Sequence, residues 1–288
     1  MTAPRFAEDT DHGRFYFHPA NRRQVPSITN IKGQKNIKAL IGATAKECAA
    51  YASANREKLA TLDEGEAFSL VRGAPFRHDS KKNVASRNGD IVHQWIDMHI
   101  QGEQVNPLVY MDQNTGEEKP STTTARHMWN VFLDFERYYK PRWLLSEFTV
   151  WSDSIGYAGT MDWAAEINGM LVLGDNKTGN WVYPDTAMQL AAGAKADFML
   201  DAEGQEVELP KFDAFGILHI RPRFWEFPQY SNEAVDAWFE AFKGLKVVLD
   251  TVINWEDRTI IYGPKHQVRQ PQTPKPGRAR STADTGRV

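Results

Sequence analysis

YAGTMDWAAEINGMLVLGDNKTG, residues 157–179, reads as two β-like runs separated by Asn168-Gly169. An Asn-Gly pair between strand-like runs is the strongest short-range signal for a two-residue hairpin, because both central positions of that turn need positive φ. With those two residues as the turn, Ile167 faces Met170, and each step back along one strand matches a step forward along the other. Asp162 then lies directly opposite Asp175. Opposed residues of an antiparallel pair point to one face with Cβ atoms roughly 4.5–5.5 Å apart, so two carboxylates there repel unless one protonates or a cation sits between them. Lys177 emerges on the same face as Asp175 and across from Thr160, since strand side chains alternate. Two acids and a lysine converge, and oxygen ligands of this kind suit Mg²⁺ or Mn²⁺. The competing reading is a solvated hairpin face on which Lys177 neutralises the acids. Thr178-Gly179 and the apolar run leading into the motif weigh against it. A β-bulge near Gly174 would break the register.

Outward from the hairpin the β-like character continues. LLSEFTVWS (144–152) and DAFGILHIRPR (213–223) read as further strands, and a sheet is expected to begin after Pro141. An Ala-rich segment at 184–200, with Pro near its start, and an amphipathic one at 232–255 read as helices. Upstream the chain reads as mostly helical, over 39–62, 90–100 and 121–139, the last opening on a Ser/Thr run suited to an N-cap. The fold class is therefore α/β: a mixed β-sheet core flanked by helices, with an N-terminal helical region. The expected division is a helical region at 1–140 covering the site, a core at 141–262 and a disordered basic tail at 263–288, which carries prolines and Lys/Arg but no large apolar cluster.

Composition narrows the chemistry. The 288 residues are 41% hydrophobic and 25% charged, in the range of ordinary globular chains. No apolar run reaches the ~18 residues that span a bilayer, and the N-terminus lacks the apolar stretch of a secretory signal, so no membrane partner and a cytoplasmic location are expected. The single cysteine, Cys48, excludes an internal disulfide, a thiolate zinc cluster and a four-cysteine iron–sulfur cluster held by this chain alone. Any metal must be held by oxygen and imidazole. The net charge of -3 gives no global nucleic-acid footprint. A local one is offered by 72–87, where Arg72, Arg77, Lys81, Lys82 and Arg87 stand against Asp79, read either as a phosphate-contacting loop or as a solvated one. Without a G-x-x-x-x-G-K-[ST] loop, the chain is expected to bind no nucleotide, and ATP-driven unwinding would need a partner.

The pattern GTMD ending in Asp162, then LVLGDNKTG with Asp175 and Lys177, then an Ala-rich helix carrying Gln189, resembles the PD-(D/E)XK nuclease superfamily, and more narrowly its RecB-type exonuclease branch. Upstream, NGDIVH ending in His93 resembles the helix that supplies that branch's histidine ligand, and Glu147 sits where an extra acid often precedes the GxxD strand. The resemblance spans about 93–189. It implies that Asp162, Asp175, His93 and the backbone carbonyl of Asn176 hold a catalytic Mg²⁺, for which Mn²⁺ substitutes. It implies further that Lys177 orients or deprotonates the attacking water, that Glu147 supports the metal or a second one, and that Gln189 holds the phosphate or active-site carbonyls. Two features depart from the pattern: Gly193 stands where a tyrosine usually follows the glutamine, and Asn176 where an aromatic is usual. His93 could instead be a core histidine, with His99 as fallback ligand, and Gln189 could simply cap a sheet edge. Trp181 and Tyr183, just past the motif, sit where single-stranded DNA could stack.

The expected function is a metal-dependent DNA exonuclease of recombination or repair, similar to compact bacteriophage enzymes and acting in a bacterial host cell. Its expected partner is DNA with a free end, and possible protein partners are a helicase or recombinase. Two alternatives remain at this stage: a structure- or sequence-specific endonuclease of the same superfamily, and a non-catalytic nucleic-acid-binding module on a nuclease fold.

Overall fold

The computed structural model describes residues 4–10, 13–35, 45, 48–72, 79–112 and 115–253, without the side chains of 79–86 and 252–253. Its centre is a mixed sheet built on the hairpin. β6 (Arg142–Ser152), β7 (Tyr157–Ile167) and β8 (Met170–Lys177) form an antiparallel meander, and β11 (Ala214–Arg221) joins β8 in parallel. The short strands β9 (Phe198–Leu200) and β10 (Glu206–Val207) extend the β6 edge. β12 (Phe224–Glu226) and β13 (Gln229–Tyr230) both pair with β11 at the other edge. The turn has the expected backbone, with φ of 52° at Asn168 and 77° at Gly169. The register is also the expected one, from Ile167↔Met170 to Trp163↔Gly174.

The ladder ends there, one pair short of Asp162 and Asp175, and the cause is a break in the pleat rather than a bulge at Gly174. In a regular strand residues two apart share a face. Yet Trp163 packs into one cluster with Ala165 and Ile167, while Met161 packs into the cluster on the other face. The β6 partners, Ser146↔Trp163 and Phe148↔Met161, leave no bonded pair at Glu147 and Asp162, and Glu147 has a φ of 45°. A left-handed non-glycine residue inside a strand costs about 1–3 kcal/mol and persists only where the surrounding structure fixes it. Gly174 is required by a neighbour: a Cβ there would lie 2.0 Å from the buried indole of Trp163.

Helices cover both faces. On one lie α4 (Asp79–Ile100) and α5 (Thr123–Tyr139), which bury Ile91, Trp95, Phe132 and Phe135 against Trp163 and Leu218. On the other lie α6 (Thr186–Ala194) and α7 (Asn232–Ile253) together with the short α1 (Ile28–Lys32). Two further short helices, α2 (Arg56–Leu59) and α3 (Glu64–Arg72), precede α4.

The first 140 residues are not mainly helical throughout. β1 (Ala7–Thr10), β2 (Gly13–Phe17) and β3 (Gln24–Pro26) form an antiparallel sheet, and β4 (Val109–Asp112) pairs with β5 (Glu117–Pro120). These strands are short and mostly polar or half-buried, so they lack the alternation that marks a strand. Nor do the described residues divide near residue 140, since those up to Val252 fall in a single compact unit. The helix expected over 39–62 is interrupted at Asn55, and 36–44 lie outside the described residues. The helix expected over 184–200 stops at Ala194, after which 198–200 form β9. The segment 72–87, read as a loop, is helical from Asp79 onward. The tail at 263–288 and the side chains of Lys81 and Lys82 lie outside the described residues. Among the described residues no helix is long and apolar enough to cross a membrane.

Candidate metal centre

The pleat break brings the acids together. Asp162 Oδ2 accepts a hydrogen bond from the Asn176 amide at 2.7 Å, so the acids meet diagonally across the end of the hairpin rather than directly. In an extended residue N–H and C=O point to the same side, so the Asn176 carbonyl also points toward β7. The Asn176 side chain is occupied on the opposite face, where its Oδ1 accepts from Trp163 Nε1 at 3.0 Å.

His93 arrives from α4. Its Nδ1 lies 3.5 Å from Asp162 Oδ2. One turn earlier in that helix, Gly89 crosses Thr178 so closely that a Cβ would stand 2.6 Å from the Thr178 hydroxyl. The helix is fixed at its other neighbour by Thr122, the N-cap of α5, whose hydroxyl donates to Asn88 Oδ1 at 2.5 Å. His99, the fallback, is engaged elsewhere: its Nε2 sits 2.8 Å from Glu136 Oε1 and its ring packs edge-on against Trp129 and Phe132.

Among the described residues, His93, Glu147 and Asp162 each present one ligand atom within 4.8 Å of the others. Glu147 is thus nearer the centre of the group than its supporting role in the sequence reading suggested. Its carboxyl is pushed up to about 8, first by lost solvation and then by the charges of Asp162, Asp97 and Asp175. The residue still exposes surface at the mouth of the site, and the acid–acid repulsion is the part of this shift that a cation would relieve.

Asp175 lies beneath the group, fully buried, and outside the set within mutual ligand reach. Lys177 forms an ion pair with it, yet neither Asp175 oxygen accepts a well-formed hydrogen bond. Burial raises its carboxyl above the usual range, with Lys177 opposing. For Lys177 burial works against the charge, but Asp175 and Asp162 outweigh it and the ammonium is raised. Under-satisfied buried oxygens beside an imidazole and two further carboxylates form a donor set that fits a hard divalent ion.

Gln189 faces the site from α6, but its Oε1 accepts from Lys32 Nζ at 3.2 Å, a partner that nothing in the sequence pointed to. Tyr16, whose hydroxyl lies 2.9 Å from Thr160 Oγ1, was equally unforeseen. So was Asp97, held by the Ser146 hydroxyl one turn past His93. Trp181 and Tyr183 are 73% and 63% exposed, and Arg87 is exposed on α4. Compared with known proteins, the chain matches no family model and no curated sequence.

Proposed function

We propose that this protein is a metal-dependent deoxyribonuclease that degrades DNA from a free end. The observation that carries the reading is the convergence, at the open end of one hairpin, of His93, Glu147 and Asp162 with the buried Asp175–Lys177 pair. An imidazole, three carboxylates and one ammonium match what phosphodiester hydrolysis needs: ligands for a hard cation and a positive group for the charge that builds on the phosphoryl oxygens. Bound there, Mg²⁺ would polarise a phosphate oxygen and acidify a water. His93, Glu147 and Asp162 would hold it from the mouth, and Asp175 and the Asn176 carbonyl from below. Lys177, kept protonated by Asp175 and Asp162, would donate to the developing oxyanion rather than act as a base. The exposed rings of Trp181 and Tyr183 are available for bases to stack on.

The free-end preference is supported by cover. α4 lies over the end of β8, Gly89 against Thr178 and His93 against Asp162, and α1 flanks the opposite side next to α6. A single strand end fits between such walls more readily than an intact duplex. The test is digestion of one plasmid, closed or linearised, at matched salt, with Mg²⁺ or EDTA. Loss of the linear form only, and only with Mg²⁺, is expected. Discrete fragments or nicks from the closed circle would turn the reading to an endonuclease, and no cleavage under any condition would end it.

A further inference from the structure

Lys32 is a largely buried cation whose ion pair, with Asp185, is a long one shared with Lys35. Its side chain is 14% exposed. Among the described residues its nearest acceptors are the neutral Gln189 amide oxygen at 3.2 Å and Asp185 Oδ2 at 3.8 Å, and Asp185 also forms an ion pair with Lys35. The charged groups that act most on Lys32 are the like-charged Lys177 and Lys35 and, opposing them, Asp185 and Asp175. Burial, and then the nearness of Lys177, depress its ammonium to about 8. Burying an ammonium this way is unfavourable unless something compensates it.

The N-terminal segment is built to place it. Ser27 bridges to Ala158 on β7, and Ile28 sits where a Cβ on Gly159 would be 2.4 Å from its Cδ1. Tyr16 anchors to Thr160 on the same strand, and Ile31 is fully buried beside α6. α1 is therefore clamped to the strand that carries Asp162, and its last residue, Lys32, is delivered to Gln189.

We propose that Lys32, with Lys35 and Gln189, forms a phosphate-binding subsite beside the metal centre that takes a phosphate group of the substrate strand. A phosphate would supply Lys32 with a counter-charge at hydrogen-bond distance that it does not share with Lys35, and would accept from the Gln189 amide nitrogen. This rests on the nuclease reading for its substrate, and the test separates the two.

A phosphorothioate single-stranded oligonucleotide, which resists hydrolysis, is titrated in Mg²⁺ over a range of salt concentrations against wild type, Lys32→Gln and Lys32→Arg. Neutralising one phosphate contributes about 0.7 to the slope of log affinity on log salt for a single strand. Lys32→Gln should lose that slope and bind on the order of ten-fold more weakly at low salt, and Lys32→Arg should keep both. A difference present with hydroxyl-ended oligonucleotide assigns the subsite to a backbone phosphodiester. One present only with a phosphorylated end assigns it to a terminal monoester, and either supports the proposal. Equal slope and affinity for wild type and Lys32→Gln on both oligonucleotides would overturn it, as would absent binding by wild type. Should Lys32→Gln melt well below wild type, Lys32→Met carries the comparison. Wild type that binds with a Lys32-dependent slope but cleaves no DNA keeps the subsite and removes the nuclease. Wild type that cleaves while Lys32→Gln binds unchanged does the reverse.

Discussion

Asp175 and Lys177 are two residues apart, but their predicted losses differ in kind. Asp175 is a fully buried carboxyl held above its ordinary range, so its charge opposes folding at neutral pH. The sign follows from linkage: a raised folded pKa means stability present below the unfolded value and lost as pH climbs through the folded one. Asp175→Asn should therefore abolish cleavage and, in EDTA, show a melting temperature that falls less steeply between pH 5 and pH 8 than that of wild type. Asp162→Asn should also lose cleavage and keep the fold, because the amide oxygen can still accept from the Asn176 N–H that Asp162 holds at 2.7 Å. Near-normal activity in either variant would remove the two-acid site. Lys177→Met should keep the rise in melting temperature that Mn²⁺ gives wild type, yet lose about 10²–10³ in turnover, the usual loss for a deleted oxyanion donor. Loss of the Mn²⁺ effect as well would mean that Lys177 mainly holds Asp175 in place.

At the scale of elements, the reach of His93 depends on how closely α4 crosses the end of β8. Gly89 permits that crossing, standing 2.6 Å, by its absent Cβ, from the Thr178 hydroxyl. Within a helix, Gly→Ala alone stabilises by about 1 kcal/mol. Gly89→Ala should therefore leave the melting temperature in EDTA unchanged or raised, while weakening Mn²⁺ binding and activity about ten-fold or more as His93 is lifted from Asp162. Adding Thr178→Ala removes the obstructing hydroxyl and should restore both. Failure of the double variant to recover would mean that the crossing does not set the histidine. The hairpin follows the same logic of close contact. Its turn and register are local properties of Asn168-Gly169, whereas the pleat break at Asp162 depends on Glu147 across β6 and on helices packing on both faces.

For the molecule as a whole, the metal-free site is a concentration of like charge, and its pH dependence should show it. Glu147 is raised to about 8 from 4.5, so the stability it contributes is present below pH 4.5 and lost as pH rises through 8. Lys32 is lowered to about 8 from 10.5, so its penalty is present below pH 8 and relieved between 8 and 10.5. In EDTA the melting temperature should fall from pH 5 to pH 8 and level or recover toward pH 10. Millimolar Mn²⁺ should remove most of the fall by binding the folded state alone. Glu147→Gln should flatten the same segment without metal. An EDTA profile that rises steadily from pH 5 to pH 8 would contradict the crowding of acids at this site.

What the sequence determined by itself was local: the Asn168-Gly169 turn, the register that follows from it, the strands read at 144–152 and 213–223, and the helices whose apolar spacing repeats. In each, neighbouring residues set the backbone, so the information lies within a dozen positions. On that basis Asp162, Asp175 and Lys177 could be placed at one end of a hairpin before any tertiary contact was known. Only the tertiary structure decided the rest. The meander gives Glu147 a place among the ligand atoms through a left-handed residue that no local pattern announces. The N-terminal strands, too short and too polar to signal themselves, clamp α1 to β7 and deliver Lys32 across 157 positions to Gln189. Contacts made at such separation depend on shape and burial rather than on any repeat along the chain, and they determine which of the legible residues meet, and at what charge.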